Sequence, residues 1–384
     1  MTPTQRSSDP AASSGRATGT VLVLGAGQVG AAAAVYAARS PVTGHLVVAD
    51  RSADAAGRAL HAAGCDGEAI SLDITDASAL RELLSRVDVV LNCVGPYYRF
   101  GPLVLGAAVD TATTYLDVCD DWEPTLEALD RYGAAAVAAG MTAVIGHGAS
   151  PGTSNLIARA AVEALPDCST LLTGWSLDDQ SGDPEGAANH HWLEQASGLV
   201  RVWRDGRYRD ERPLSEVPVH LAEHPPRTAL LIGHPEAVTL PRRYPQLRTC
   251  LNTMTLPGPL VRALQQAGGA VDDGLSVVEA SRLLGRVHAP GVGPSEPEYP
   301  GVWAIATASD GSSAHAWLTD YGTMTDMGTV TAAPLVAGME LLLTSGAPHG
   351  VLTPEEAFTV PEYFPALAAV AGIGGPVLAL RTRP

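Results

Sequence analysis

Val21-Leu22-Val23-Leu24-Gly25-Ala26-Gly27-Gln28-Val29-Gly30 is an apolar run that ends in spaced glycines and passes directly into an alanine-rich stretch, AAAAVYAARS. Successive apolar residues suit a strand buried on both faces, and the alanines that follow suit a helix. Gly25-x-Gly27-x-x-Gly30 between them is the phosphate turn of a dinucleotide-binding domain. There Gly25 permits the tight turn, Gly27 lets backbone approach a diphosphate, and Gly30 lets helix and strand pack closely, with Gln28 and Val29 in the first helical turn. The diphosphate would rest on free N–H groups at the positive end of the helix dipole. An acid, Asp50, closes the next apolar run, HLVVAD, as this fingerprint requires. Asp50 should accept from the adenosine ribose hydroxyls, which favours NAD; Arg51 beside it could instead meet the 2′-phosphate of NADP.

Outward from this turn, strands alternate with helices. HLVVADRS, AISLDITD, VDVVLNCVG, TYLDVCD and MTAVIGHG read as strands two to six, with helices between them and PYYRFGP as a loop after the fourth. Such alternation means right-handed βαβ units and a parallel sheet. After Pro151 the pattern changes to a helix, TSNLIARAAVEAL, and strand-like pieces TLLTGWSL, GLVRVWRDGRYR, AVTLPRR, VWAIATASDG and SSAHAWLTD, with hairpin signals at Arg204-Asp205-Gly206-Arg207 and Ser309-Asp310-Gly311-Ser312. The expected fold class is α/β: a Rossmann-type doubly wound parallel sheet plus a second α+β domain with a largely antiparallel sheet. The expected divisions are a disordered tail (1–18), a dinucleotide-binding domain (19–149), a substrate and dimerisation domain (150–328), and C-terminal helices returning to the first domain (329–384). Segment 256–300, rich in Gly and Pro, reads as an insertion with one amphipathic helix at VVEASRLLGRV.

Composition narrows the chemistry. The chain has no lysine; all 24 basic residues are arginine. That excludes a lysine Schiff base, a Walker A loop and a lysine base, a role arginine cannot fill because it stays protonated. A net charge of −17 argues against a nucleic-acid partner and would tolerate an amine-bearing small molecule. Five scattered cysteines without C-x-x-C spacing point to a reduced, cytoplasmic protein with no thiolate metal site. No apolar run reads as a bilayer span, and the first 18 residues lack a signal core. An antiparallel second sheet suggests a homodimer.

From residue 20 to about 200, and again at 330–356, the chain resembles the saccharopine dehydrogenase-like family, which includes saccharopine reductases, carboxynorspermidine dehydrogenases and lysine 6-dehydrogenases. The resemblance rests on VLVLGAGQVG, VVADRS, LDITD, VDVVLNCVGPYYRFGPLVLGAAVD, TYLDVCD and GHGASPGTSNLIARAAVEAL. It implies NAD(P)-linked hydride transfer at a carbon–nitrogen bond. Two departures, Ser150 where saccharopine reductases commonly carry an acid, and GAANHHWLEQASG at 186–198, argue against saccharopine itself as the substrate.

Hydride transfer to C=N needs alignment, exclusion of water and one proton source. Candidates lie where strand ends face the cleft. Asp73 and Ile74 are placed to contact adenine, and Asn92, Cys93, Val94 and Gly95 to pass under the nicotinamide-side ribose. Tyr97, Asp117 and His147 are the candidates for binding the amine or relaying its proton; Tyr98, Asp120, Ser150, His190 and His191 would line the substrate side. Tyr97 could equally pack over the nicotinamide, and Asp117 could bond only ribose or backbone. His147 is chosen for its ordinary pKa near neutrality, against a purely structural role. The i, i+4 pair His220 and His224 lacks an acid to complete a metal site. Gly148-Ala149-Ser150-Pro151-Gly152 also matches the nucleophile elbow of hydrolases, but Pro151 has no N–H to complete an oxyanion hole. An internally redox-neutral enzyme with tightly held NAD, and a cofactor-binding protein without catalysis, are the two other readings.

Overall fold

The computed structural model of the chain describes residues 18–176, 192–256, 258–285 and 299–384. Seven strands form a wholly parallel sheet in the order β15-β6-β5-β4-β1-β2-β3. They are β1 (Gly19–Leu24), β2 (Thr43–Asp50), β3 (Gly67–Ser71), β4 (Val89–Asn92), β5 (Thr114–Asp117), β6 (Thr142–Val144) and β15 (Gly350–Leu352). The apolar run that opens the chain explains why the sheet is covered on both sides. Val21 and Val23 are buried in one layer, whereas Leu22 and Leu24 are buried in the other with Leu80 and Leu105. Each such side chain contributes about 1.5–3 kcal/mol.

The flanking helices are α1 (Gln28–Arg39), α2 (Ala53–Ala63), α3 (Ala77–Leu84), α4 (Tyr97–Thr111), α5 (Trp122–Ala139) and α6 (Thr153–Ala164). Ser52 caps α2 by accepting from Ala55 N–H, and Asp76 caps α3 by accepting from Ser78 and Ala79 N–H, each cap contributing about 1 kcal/mol. The PYYRFGP segment is not the expected loop. It is the start of α4, which carries Pro102 within it; Pro96 stands just ahead and Tyr97 is buried against the sheet. Pro at a helix start needs no N–H there.

The second sheet joins β7 (Cys168–Ser176), β8 (Val200–Arg204), β9 (Arg207–Glu211), β10 (Glu216–Val219), β11 (Arg227–Ile232), β12 (Thr249–Thr255), β13 (Val302–Ala308), β14 (Ser313–Leu318) and β16 (Leu378–Arg383). It is antiparallel except where β12 runs parallel to β7. AVTLPRR, expected as a strand, lies in a helix, α7 (Glu236–Arg243). Glu236 in its first turn and Arg242 and Arg243 in its last complement the helix dipole, outweighing the strand preference of Val238 and Thr239. The Gly/Pro-rich segment holds two described helices rather than one, α8 (Gly258–Asp272) and α9 (Val277–Gly285). His220 and His224 do not share a helix.

Three more helices complete the chain: α10 (Met327–Thr344), α11 (Pro354–Ala357) and α12 (Val360–Val370). By length and composition α10 is apolar enough to cross a bilayer, contrary to the expectation from the sequence, but 56% of its apolar window is buried. The helix packs against α1, β4, β5 and α12, and its Ala332–Met339 stretch is buried. The C-terminal region thus covers the parallel sheet through α10 and extends it through β15, yet its last strand, β16, pairs with β14 of the second sheet. Helix α6 connects the sheets: it leaves β6 and packs on β7, β13 and β14.

Candidate active site

The glycine turn is built as its spacing requires. Gly25 has φ +92°, and its N–H donates to Ala49 O at 2.7 Å. A Cβ on Gly30 would stand 1.7 Å from Gly25 O, so helix and strand meet only because that position is bare. Gly27 differs: it is exposed, and a Cβ there would meet nothing within 4 Å. It is also the N-cap of α1, with no side chain capping the helix. Gln28 is exposed, and Val29 half-buried. An uncapped helix start beside open space is a cradle for an anion.

Asp50 closes that cradle. Its Oδ2 accepts from Ala26 N–H at 2.8 Å and its Oδ1 from Ser52 N–H at 2.8 Å. Arg51 is exposed beside it. At the end of β3, Asp73 accepts from the N–H and hydroxyl of Thr75, which hold its carboxyl below the usual range, so its charge serves the turn. Ile74 points into the core.

The ends of β4, β5 and β6 are tied by one buried network. Asn92 Nδ2 donates to Tyr115 Oη at 2.9 Å, and Tyr115 donates to Asp117 Oδ2 at 2.7 Å. Asp117 Oδ1 accepts from the N–H groups of Gly146 at 2.7 Å and Cys119 at 3.1 Å. Burial pushes Asp117 up to about 6, against those hydrogen bonds. Asn92 Oδ1 accepts from Val94 N–H, fixing the loop in which Cys93 and Val94 are half-buried and Gly95 is exposed. Burial pushes the Cys93 thiol up to about 12.

All three proposed proton groups are buried, Asp117 within the network just described. Tyr97 is buried and donates to Asn92 O at 2.9 Å, leaving Tyr98, 59% exposed, as the tyrosine open to solvent. His147 lies beneath α10, its ring 4.9 Å from Phe358 and 5.4 Å from Tyr363, with neither nitrogen hydrogen-bonded among the described residues. Burial pushes its pKa down to about 3, so it is neutral. This placement argues against the acid–base role expected for His147: residue type suggested a titrating group, and tertiary packing removed it from water. Asp120 is half-buried after β5, and Ser150 half-buried after β6. His190 and His191 lie outside the described residues.

Ser150 brings in two residues that sequence reasoning missed. Its hydroxyl donates to Glu236 Oε1 at 2.5 Å and lies 3.3 Å from His234 Nδ1. Ser154 donates to the same Glu236 oxygen at 2.5 Å, and His234 Nδ1 stands 3.6 Å from Glu236 Oε2. The one signal was an acid, in His234-Pro235-Glu236, set directly after an apolar strand. A hydrolase relay would need opposite nitrogens of the imidazole to face serine and acid; here Nδ1 faces both.

Residues 21–144 match the family model of the saccharopine dehydrogenase NADP binding domain. The chain resembles the saccharopine dehydrogenase-like family. Among curated proteins, the saccharopine dehydrogenase-like oxidoreductases of Rattus norvegicus and Bos taurus are 36% identical over 52 residues and 41% over 49. Those matches cover 14% and 13% of this chain but only 12% and 11% of the relatives' length. Apo saccharopine dehydrogenase (L-Glu forming) from Saccharomyces cerevisiae superposes with TM-score 0.65 at 17% identity, covering 95% of this chain and all of that one. The homospermidine synthase of Legionella pneumophila, solved in complex with NAD, superposes with TM-score 0.58 at 11% identity, covering 95% of this chain and 91% of that one. Fold and resemblance therefore agree on the architecture: a Rossmann sheet with a second, mixed sheet, as in those two solved structures.

Proposed function

We propose that the chain is an NAD(P)-dependent oxidoreductase that transfers hydride at a carbon–nitrogen bond of an amino-acid- or polyamine-like substrate. The observation that carries the cofactor half is Gly27, an exposed, uncapped helix start with room for a diphosphate. Asp50 sits where it would accept from ribose hydroxyls, which supports NAD, with Arg51 available to a 2′-phosphate. The carbon–nitrogen half draws on the resemblance and on two solved folds named for saccharopine and homospermidine.

In this reading the chemistry supplied by a nicotinamide, when bound, would be hydride transfer. The protein's share is alignment and proton handling. In doubly wound sheets the cofactor crosses where strand order reverses, here between β1 and β4, so its reactive end would lie over the ends of β4, β5 and β6. The Asn92–Tyr115–Asp117 network holds those ends at fixed spacing. Asp120, Tyr98 and Ser150 line the exits of the same strands. The test is oxidation of NADH and NADPH by the purified protein with cyclic imines, and with keto acids or aldehydes plus amines. Imine-dependent loss of reduced-nicotinamide absorbance is expected. Turnover of carbonyls without any amine would contradict the reading, as would product formation with no net cofactor change.

A further inference from the structure

The Ser150–Glu236–His234 cluster reads as a ligand subsite because its hydrogen bonds have a direction. A serine hydroxyl has one proton to give and lone pairs to receive. Ser150 and Ser154 both direct theirs to Glu236 Oε1, at 2.5 Å each. Glu236 is fully buried, and its Oε2 has no hydrogen-bond donor among the described residues. Such a burial is costly for an anion unless positive charge or donors stand close by. Beyond the two hydroxyls on Oε1, His234 Nδ1 stands 3.6 Å from Oε2 and 3.3 Å from Ser150 Oγ. Ser150 alone of the two serines is half-exposed. Seen from the cleft, the cluster therefore ends in an oxygen whose proton is already engaged, with a carboxylate behind it. A ligand atom arriving there must donate.

Its position fits the cleft as well. Ser150 stands in the turn between β6 and α6, at the sheet edge where the reactive end of the cofactor would lie. Gly233, at the start of the loop that carries His234 and leads into α7 at Glu236, would bring a Cβ within 3.7 Å of Trp122, which opens α5 after β5. The loops after β5 and β6 and the second sheet thus converge here. Trp175 flanks His234 at 6.2 Å between ring centroids, with an indole N–H that finds no partner among the described residues.

We propose that Ser150, backed by Glu236 and His234, binds a cationic nitrogen of the substrate, an ammonium or iminium, with Ser150 as a positioning residue and not a nucleophile. This rests on the carbon–nitrogen reading for its substrate class but is tested apart from it. The protein saturated with NAD is titrated calorimetrically with butylammonium, 1,4-diaminobutane, butanol and butyrate, as wild type and as Ser150→Ala and Glu236→Gln. The ammonium probes should bind at least about tenfold more tightly than butanol, and butyrate most weakly. Ser150→Ala should lose about tenfold in ammonium affinity with nucleotide affinity unchanged. Glu236→Gln should do the same; because it alters a buried group, Ser150→Ala, at a half-exposed position, carries the test should Glu236→Gln fail to fold. Equal or tighter binding of butanol or butyrate, no ammonium binding, or full ammonium affinity in Ser150→Ala overturns the subsite. Imine turnover indifferent to Ser150→Ala overturns it while sparing the oxidoreductase reading. Ammonium binding that depends on Ser150 in a protein that reduces no imine upholds the subsite and removes that reading.

Discussion

The Asp50 carboxylate accepts from Ala26 N–H at 2.8 Å, so the acid ending β2 and the glycine turn following β1 are one hydrogen-bonded unit. The same side chain holds Ser52 N–H at the start of α2. A residue expected to read the ribose therefore also shapes the turn expected to hold the diphosphate.

Asp50→Ala should accordingly cost stability as well as affinity. Two backbone donors lose their acceptor, a loss of about 1–3 kcal/mol by denaturant titration. NAD affinity should fall about tenfold or more, and more steeply than NADP affinity, because Arg51 would still be available to a 2′-phosphate. Equal losses for both nucleotides would remove Asp50 from ribose recognition.

His147 and Gly338 form a tight pair: a Cβ on Gly338 would lie 2.4 Å from His147 Cδ2. Gly338→Ala should destabilise by a few kcal/mol, as overpacking does, and the penalty should shrink in a His147→Ala background, a coupling a double-mutant cycle reads directly. His147→Leu should keep turnover, since a buried imidazole with no hydrogen bond among the described residues relays no proton. A large fall in kcat with an unchanged melting temperature would restore the relay role.

Two buried carboxyls set a pH dependence. Burial raises Asp117 from 3.8 to about 6 and Glu355 from 4.5 to about 7, although Asn155 donates to Glu355 at 2.8 Å. Both bind a proton more tightly folded than unfolded, so their contribution is present in full at acid pH and is lost as pH rises through about 6 and 7. The loss is roughly 3 kcal/mol per group at most. Glu236 runs the other way. Burial would raise it, but His234, Ser150 and Ser154 outweigh that and lower it, so its contribution is lost as pH falls below the usual carboxylate range. Denaturant titrations of wild type and Asp117→Asn/Glu355→Gln across this range should show wild type losing ground to the variant as pH rises. Parallel curves would contradict it.

The parallel sheet was legible because its signals are local: Val21 to Leu24 bury both faces of one strand, and Gly25, Gly27 and Gly30 answer to backbone geometry within six residues. The helix Glu236–Arg243 was not, because its apolar, β-branched side chains read as strand and only its terminal charges argued otherwise. Glu236 as a site residue depends on hydroxyls 86 and 82 positions earlier in the chain. His147 misled for the same reason: its surroundings come from Gly338, Phe358 and Tyr363, which no local pattern connects to it.

The most direct test of the cofactor site is calorimetric titration of NAD and NADP into wild type and Gly27→Ala. Because a Cβ at Gly27 meets nothing within 4 Å in the protein itself, the variant should melt at the wild-type temperature. It should nonetheless lose at least about tenfold in nucleotide affinity, since the methyl would occupy the approach to the diphosphate. Wild type that binds neither nucleotide at millimolar concentration, or a variant that binds as well as wild type, would contradict the account.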